Sequence, residues 1–262
     1  MAAPDPIPIN PRVIVVIVVV VVGVVIAAFA FVFLAGFVPA NQVIGSGNTE
    51  TRTESHTDFT KVTASHAFDI DITQSSSYLV RITLDDNLFQ HLQVFKTGET
   101  LTIRLQLGFT YIPAPGRQLT IQAEITMPDL VEVQLSAAST ADVDGFIVSH
   151  SFVAGISGAS RLRGTYVTLG EVSFTLSGAS TVELSGSGGD LTAAVSGASR
   201  LELGNFPVQD ANVTLSGASL GTVNLDGRLD ASASGASTLL YLGNPTLGDI
   251  STSGGSTIAP TT

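Results

Sequence analysis

The motif Ser177-Gly178-Ala179-Ser180 recurs through the second half of the chain. Its copies, of which the first and the last are weaker, lie at 136–139, 157–160, 177–180, 196–199, 216–219, 234–237 and 253–256. Their starts are 21, 20, 19, 20, 18 and 19 residues apart. A fixed period near this length is typical of a solenoid, in which each repeat buries its apolar face only against its neighbours.

Short alternating segments flank each copy. Residues 172–176 (VSFTL) precede the motif at 177–180, and residues 182–184 (VEL) follow it. Alternation of apolar and polar residues is the period of a β-strand. A glycine such as Gly186 follows, so one repeat reads as strand, small-residue corner, strand and glycine turn. Stacking of such repeats about 4.8 Å apart predicts an all-β fold, a parallel β-helix with about 20 residues per coil.

The composition of the corner suits a sharp bend between stacked coils. Glycine takes positive φ without steric cost, and alanine and serine are small enough to stack on their own copies. If the inward–outward alternation continues through the corner, the second serine points inward and forms a buried hydroxyl ladder. If the corner breaks the alternation, the alanine is inside. Both a purely structural role and a ligand-binding ladder fit the corner residues, which are Ser157, Gly158, Ser160, Ser177, Gly178, Ser180, Ser196, Gly197, Ser199, Ser216, Gly217, Ser219, Ser234, Gly235 and Ser237.

The composition excludes several classes of function. Charged residues make up 13% of the 262 residues, and the net charge is −11 without a cluster of bases, which argues against nucleic acid as a partner. The lack of cysteine excludes disulfides, thiolate catalysis, cysteine metal sites and lipid attachment at an N-terminal cysteine. The histidines His56, His66, His91 and His150 have no metal-ligand spacing. We therefore expect no cofactor and no metal site.

The N-terminal residues predict a membrane anchor. Residues 1–12 form a short proline-rich tail, and residues 13–38 contain no charged side chain. A helix of this length spans about 39 Å, more than the ~30 Å hydrocarbon core, whereas the apolar region of a signal peptide has about 7–15 residues. Arg12 beside the helix favours a cytoplasmic tail and an external C-terminal region. The rival interpretation is a signal peptide cleaved after Ala40, which would give a secreted protein.

Three further segments follow. Residues 39–58 are polar, show no strand pattern and indicate a linker. Residues 59–135 contain alternating strands separated by turn residues, and they form either the first coils or a cap over an open sheet edge. Residues 136–262 form the repeat β-helix. Its terminal coil, at 253–258, exposes an edge that favours self-association.

Several short sequence motifs resemble those of a known family. They are VTAS at 62–65, FDIDI at 68–72, DDNL at 85–88, GETLTI at 98–103 and TMPDL at 126–130. Together with the Ser-Gly-Ala-Ser series, they make roughly 58–256 similar to the head GIN domain of adhesin-like proteins. The resemblance implies a right-handed single-stranded β-helix, extracytoplasmic placement and no established catalytic residues.

An enzymatic interpretation rests on one pair of carboxylates. Glu183 and Glu202 occupy the same place in neighbouring repeats and would lie about 5 Å apart, the separation found in retaining glycosidases. Neighbouring repeats give that distance automatically, and Arg163 and Arg200 nearby indicate a solvated charge ladder instead. Residues 185–190 (SGSGGD) resemble a calcium turn, but the run occurs once and indicates a loop. We expect no catalytic residues.

The sequence thus predicts a membrane-anchored, outward-facing β-helix with a non-catalytic surface role: adhesion, envelope scaffold or assembly subunit. One alternative is binding of a glycan or ice-type ligand on a Ser/Thr ladder, although stacking aromatics are scarce, with no Trp and four Tyr. A second alternative is a polysaccharide-active enzyme. The predicted partners are the membrane, through residues 13–38, and either a surface partner or a second copy.

Overall fold

The computed structural model describes residues 41–261, except for the side chain of Tyr166. The predicted tail, the predicted transmembrane helix at 13–38 and the alternative cleavage point after Ala40 lie outside the described residues. Within residues 41–261, no helix has the length and apolar character that a membrane crossing requires.

Apart from a 3₁₀ helix at Asp86–His91, the regular elements of the described chain are strands. In chain order they are β1 (Gln42–Ile44), β2 (Thr49–Glu54), β3 (Lys61–Ala64), β4 (Asp69–Gln74), β5 (Leu79–Asp85), β6 (Leu92–Thr97), β7 (Thr100–Leu105), β8 (Thr110–Ile112), β9 (Ile121–Met127), β10 (Glu132–Leu135), β11 (Thr140–Asp144), β12 (Phe152–Ile156), β13 (Arg161–Thr168), β14 (Val172–Leu176), β15 (Thr181–Ser187), β16 (Leu191–Val195), β17 (Arg200–Asn205), β18 (Ala211–Leu215), β19 (Leu220–Asn224), β20 (Arg228–Ala233), β21 (Thr238–Leu242), β22 (Thr246–Thr252) and β23 (Thr257–Pro260).

These residues fall into two units. In the smaller unit, which comprises residues 41–43 and 108–110, the amide of Thr110 donates to the carbonyl of Asn41 at 2.9 Å. The larger unit, residues 44–107 and 111–261, contains the two main sheets and the whole repeat region.

Each repeat contributes one strand to each of two large, mostly parallel sheets. β14 lies in a 10-stranded sheet, the corner at 177–180 follows, and β15 lies in an 11-stranded sheet. Equivalent residues pair in register from coil to coil, as Val172 does with Leu191. The coils stack into a solenoid of about 6 turns, which confirms the predicted all-β solenoid. The right-handed sense of winding stays a prediction.

The core lies between the two sheets because the strand alternation turns apolar side chains inward. Phe174 and Leu176 of β14, and Val182 and Leu184 of β15, are each at most 4% exposed. The ring of Phe174 packs against that of Phe152 in the preceding coil, with centroids 6.4 Å apart. Burying an apolar side chain of this size contributes about 1.5–3 kcal/mol. Columns of stacked side chains therefore stabilise coils that could not fold singly.

The first coils stack in an order that differs from their order in the chain. β3 and β4 form a coil that pairs with β10 and β11 on one side and with β7 and β9 on the other. Three further strands pair antiparallel: β5 pairs with β9 and β2, and β6 pairs with β7. Residues 59–135 therefore contain one coil, β3 with β4, together with further strands, of which β6 is the end strand of the 10-stranded sheet; the end strand of the 11-stranded sheet is β2.

The prediction of a linker without strands over residues 39–58 is wrong for part of its described length. Residues 49–54 (TETRTE) form β2, the edge strand of the 11-stranded sheet, and pair antiparallel with β5. Every side chain of β2 is polar, and none is buried. An edge strand that buries no face has no apolar alternation, so the pattern that reveals other strands is missing here.

Candidate functional site

The corner residues lie where the chain passes from the 10-stranded sheet to the 11-stranded sheet. The second serine lies on the same face as the buried apolar residues of the flanking strands and is itself buried, whereas the glycine and the alanine are exposed. Ser180, for example, is 0% exposed, whereas Ala179 faces solvent. This decides between the two arrangements that the sequence left open. The buried serines are Ser139, Ser160, Ser180, Ser199, Ser219 and Ser237.

Four of the six buried hydroxyls, those of Ser139, Ser180, Ser219 and Ser237, close their own corners. The Oγ of Ser180 donates to the carbonyl of Ser177 at 2.8 Å, and that of Ser219 donates to the carbonyl of Ser216 at 2.9 Å. The Oγ of Ser199 instead accepts from the amide of Ser180 at 3.3 Å, and that of Ser160 accepts from the amide of Ser139 at 3.2 Å, so these two hydroxyls join neighbouring coils. Because these hydroxyls are buried and bonded, they cannot present a ladder to a ligand.

Glycine occupies the second corner position because successive coils approach too closely there for a side chain. A Cβ at Gly197 would lie 2.4 Å from the carbonyl oxygen of Gly178, and one at Gly217 would lie 2.6 Å from that of Gly197. Gly197 and Gly217 also have a φ of +75°, which residues with a side chain rarely adopt. The repeated glycine is therefore required by the stacking of coils.

Two types of turn occur among the corners. In the late corners, from 177–180 through 253–256, only the second residue has positive φ, as in a type II′ turn. In the early corners, at 65–68, 136–139 and 157–160, the second and third residues both have positive φ, as in a type I′ turn. The two types differ in the orientation of the central peptide. The last early corner and the first late corner therefore stack with their central peptides turned in opposite directions.

A groove of about 600 Å³ lies on the outer face of the 11-stranded sheet, across β13, β15 and β17. We call it the arginine groove. Its charged lining consists of Arg161, Arg163, Glu183, Arg200 and Glu202. Its hydroxyl and amide lining consists of Thr165, Thr181, Ser185 and Asn205.

Irregular strand pairing shapes the arginine groove. The register shifts between Gly164 and Val167 of β13, and again between Glu183 and Ser185 of β15. Shifts of this kind leave residues unpaired and bend the strand locally. Gly204 adds no side chain to the groove, and a Cβ there would meet no atom closer than 3.6 Å. The sequence identified several charged residues of this site, but its repeat pattern did not reveal these irregularities.

The arginine groove gathers positive charge within an acidic region. Residues 136–262 contain four basic and ten acidic residues, and three of the four bases line the groove. Arg200 pairs with Glu202 at 2.9 Å, and Arg163 lies 3.9 Å from Glu183. Arg161 forms no ion pair with any residue of the described chain. Exposed pairs contribute only about 0.2–1 kcal/mol, so a ligand can replace them at little cost.

Glu183 and Glu202 are direct partners on neighbouring strands. They continue a cross-strand column that includes Arg163, Asp142 and Asp71. Within this column, burial and then the neighbouring carboxylates raise the pKa of Asp71. The Glu183 side chain is 62% exposed, whereas a catalytic acid of a glycosidase is kept protonated by burial. The geometry is that of a solvated charge ladder.

Residues 185–190, whose sequence resembles a calcium turn, form the end of β15 and the turn after it. The carboxylate of Asp190 accepts from the amide of Asp210 at 3.2 Å, and that of Asp210 accepts from the amide of Arg228 at 2.7 Å. These aspartates join successive coils, a role that the sequence did not reveal. Among residues 41–261, no group of three or more His, Cys, Asp or Glu side chains is arranged to hold a metal ion.

A family model described as "Putative auto-transporter adhesin, head GIN domain" matches residues 58–245. The matched part includes the arginine groove and all corners except that at 253–256. This is the same family whose sequence motifs resemble those at 62–130 of this chain. No curated protein matches the chain.

Solved structures share the fold. A putative adhesin from Bacteroides fragilis has 22% identity and a TM-score of 0.72, and the match covers 84% of this chain and 100% of that chain. A putative adhesin from Parabacteroides merdae has 16% identity and a TM-score of 0.63, over 85% of this chain and 100% of that one. A structure named a putative lipid binding protein, from Parabacteroides distasonis, has 18% identity and a TM-score of 0.65, over 85% and 100%. At these identities the likeness shows the fold alone.

Proposed function

Since the chain belongs to the head GIN domain family of adhesin-like proteins, we propose that it is a non-catalytic binding module displayed on the outer side of the cell membrane. The observation that carries the proposal is the arginine groove. This groove is exposed, lined by charged and hydroxyl-bearing side chains, and built on strands that neighbouring coils hold in place. Side chains fixed on regular elements keep a binding geometry better than side chains on loops.

Display at the membrane follows from the N-terminal sequence. The uncharged residues 13–38 anchor the chain, with the tail before them in the cytoplasm and the solenoid outside. The family description names an adhesin, a class of protein that works at the cell surface, and this supports the same placement.

A non-catalytic role is supported by the chemistry of the groove. Glu183 and Glu202 face solvent beside arginines, so neither has the buried environment of a catalytic acid. A lipid-binding role finds less support from the interior. An apolar void near Phe146 and Phe152 measures about 10 Å³, which is too small for an acyl chain.

Cell-based measurements test this proposal. A protease that cannot enter cells should remove the residues beyond 41 from intact cells that express the full chain, whereas protection would contradict the outward placement. The same cells should be retained on at least one surface in a panel coated with polysaccharides or proteins, compared with cells that lack the chain. The retained polymer should keep its original length. Absence of retention on every surface would favour a scaffold, and shortening of the polymer would show an enzyme.

A further inference from the structure

The corner amides form two hydrogen-bonded series that run in opposite directions. In the early corners, the third residue donates to the following coil: the amide of Ala138 donates to the carbonyl of Gly158 at 2.9 Å. In the late corners, it donates to the preceding coil: the amide of Ala198 donates to the carbonyl of Gly178 at 2.8 Å. The two series must therefore meet where the last early corner stacks on the first late one.

At this junction two amides face each other. Ala159 has the early geometry and Ala179 has the late geometry, so both N–H groups point into the space between their coils. Neither amide has an acceptor among residues 41–261, and both residues are exposed. A methyl group added to Gly178 would lie 3.8 Å from the nitrogen of Ala159, so the two corners are close. Converging backbone donors of this kind bind anions.

The junction lies beside one end of the arginine groove. Arg161 begins β13, two residues beyond Ala159, and forms no ion pair within the described chain. Arg161 and Arg200 share one cross-strand column, with Thr181 between them. Neighbouring strands lie about 4.8 Å apart, so the two guanidinium groups flank this end of the groove. Unpaired amides and an unpaired cation thus occur together.

We infer that this end of the groove binds the carboxylate of an acidic saccharide, whose sugar ring lies along the arginine groove. The carboxylate accepts from the amides of Ala159 and Ala179 and pairs with Arg161. Sugar hydroxyls donate to Glu183 and exchange hydrogen bonds with Ser185. This inference rests on the proposed function and names the ligand class. Charge-assisted hydrogen bonds, which are stronger than neutral ones, supply affinity without an aromatic platform.

The arrangement of charges favours a saccharide over an acidic peptide. The donors for an anion lie at one end of the groove, whereas the carboxylates of Glu183 and Glu202 lie farther along it. A run of acidic side chains would bring like charges against these carboxylates, which is unfavourable. A uronic acid brings one carboxylate and several hydroxyls, and hydroxyls can donate to Glu183 and Glu202.

The first test is to titrate the ¹⁵N-labelled full chain, in detergent micelles, with an oligogalacturonate. The amide proton signals of Ala159 and Ala179 should move downfield and saturate, because each gains a charged acceptor. Those of Ala198 and Ala218 should stay in place, because they already donate to the carbonyls of Gly178 and Gly197. A neutral galactan of the same length should move none of these signals.

Two substitutions then separate charge from shape. Arg161→Gln removes the unpaired cation, and Gly204→Gln fills the groove at a position with room for a Cβ. Each should weaken oligogalacturonate binding by about tenfold or more. The matched control is Arg228→Gln, which removes an arginine paired with Asp230 at 2.7 Å in the other sheet, and it should change affinity less than about twofold.

Four outcomes would overturn the inference. Signals of Ala159 and Ala179 that do not respond would remove the carboxylate site. Equal loss of binding in Arg228→Gln would show attraction by overall charge alone. Polyglutamate binding as tightly as oligogalacturonate would assign the site to acidic peptides. If cells adhere to other surfaces while oligogalacturonate does not bind, this inference fails and the proposed function stands.

Discussion

The early and the late corners have closely related sequences but turn in different ways. The late corners place glycine at the one position with positive φ and leave the next residue in an ordinary conformation. The early corners hold Ala137 and Ala138 at φ values of 52° and 63°. A left-handed conformation costs a residue with a side chain roughly 1–2 kcal/mol. The late series is therefore relaxed, whereas the early series is strained.

The cause lies in the second corner residue. A type II′ turn requires glycine at that position, whereas a type I′ turn also accepts other residues at some cost. His66 and Ala137 therefore restrict the first two corners to type I′. Gly158 could adopt either turn, but it stacks on Ala137 and its carbonyl accepts from Ala138, so it keeps the early geometry. A neighbouring coil can therefore determine a turn that the local sequence leaves open.

The largest expected effect is at a late corner. Gly217→Val should lower the free energy of unfolding by roughly 4 kcal/mol, because it combines an unfavourable φ with overlap against the carbonyl of Gly197. Urea unfolding followed by circular dichroism measures the change.

Gly98→Val is the matched control for this substitution. Gly98 has a φ of +58°, and a Cβ there would meet no atom within 4 Å, so only the backbone cost of roughly 1–2 kcal/mol remains. Equal losses in Gly217→Val and Gly98→Val would show that close stacking of coils is not what requires the corner glycine.

The buried hydroxyl should matter equally in both groups of corners. Ser180→Ala and Ser139→Ala each leave a corner carbonyl without its donor, since the hydroxyls bond Ser177 and Ser136 at 2.8 and 2.9 Å. We expect each to cost about 1.5 kcal/mol in urea unfolding. Ser177→Ala, which changes a half-buried serine, should cost less. A loss confined to the late corner would contradict a shared role for this hydrogen bond.

Replacing an alanine by glycine should change the free energy of unfolding in opposite directions in the two groups of corners. Ala137→Gly relieves a left-handed alanine and should raise the free energy of unfolding by about 0.5 kcal/mol. Ala218→Gly, at the third position of a late corner without positive φ, should lower it by about 0.5–1 kcal/mol, because glycine loses more entropy on folding. Thermal and urea unfolding of both variants provide the measurement. The same sign for both would remove the distinction between the corners.

The smallest expected effect lies at the opposite turn of an early coil. The hydrogen bond from His150 Nε2 to Asp129, at 2.6 Å, raises the pKa of His150. This stabilisation should be fully present below the unfolded pKa of about 6.5 and should be lost as pH rises through the higher folded pKa. Both side chains are about two-fifths exposed, so the change should stay under about 1 kcal/mol.

Asp129→Asn should remove this pH dependence while leaving stability near pH 9 unchanged. Unfolding midpoints measured from pH 5 to pH 9 test the pair, and Asp249→Asn serves as a surface control. A pH profile that persists in Asp129→Asn would place its origin elsewhere.

The sequence predicted the fold better than the site. The regular period and the strand alternation were enough for a solenoid, because each coil repeats contacts with its neighbours. The same pattern did not reveal β2, because this polar edge strand lacks the alternation of apolar and polar residues. Nor did it show that β3 and β4 pair with β7 and β9 on one side and with β10 and β11 on the other, because these pairings join distant segments.

The candidate site was found only in part. Glu183 and Glu202 occupy equivalent repeat positions, so their pairing followed from spacing alone. The groove around them depends on shifts of register in β13 and β15, which small irregularities in repeat length do not locate. The facing amides of Ala159 and Ala179 depend on which turn each corner adopts, and both corners carry the same four residues.

The opposed directions of the two corner series constrain how this protein can change in length. A coil duplicated or deleted among the late corners meets neighbours of its own polarity, and the same holds among the early ones. Neither event abolishes the boundary between the series; it only shifts the boundary along the axis relative to the remaining coils. Growth of the repeat array is thus expected to move the one pair of facing corner amides along the axis and not to create further pairs.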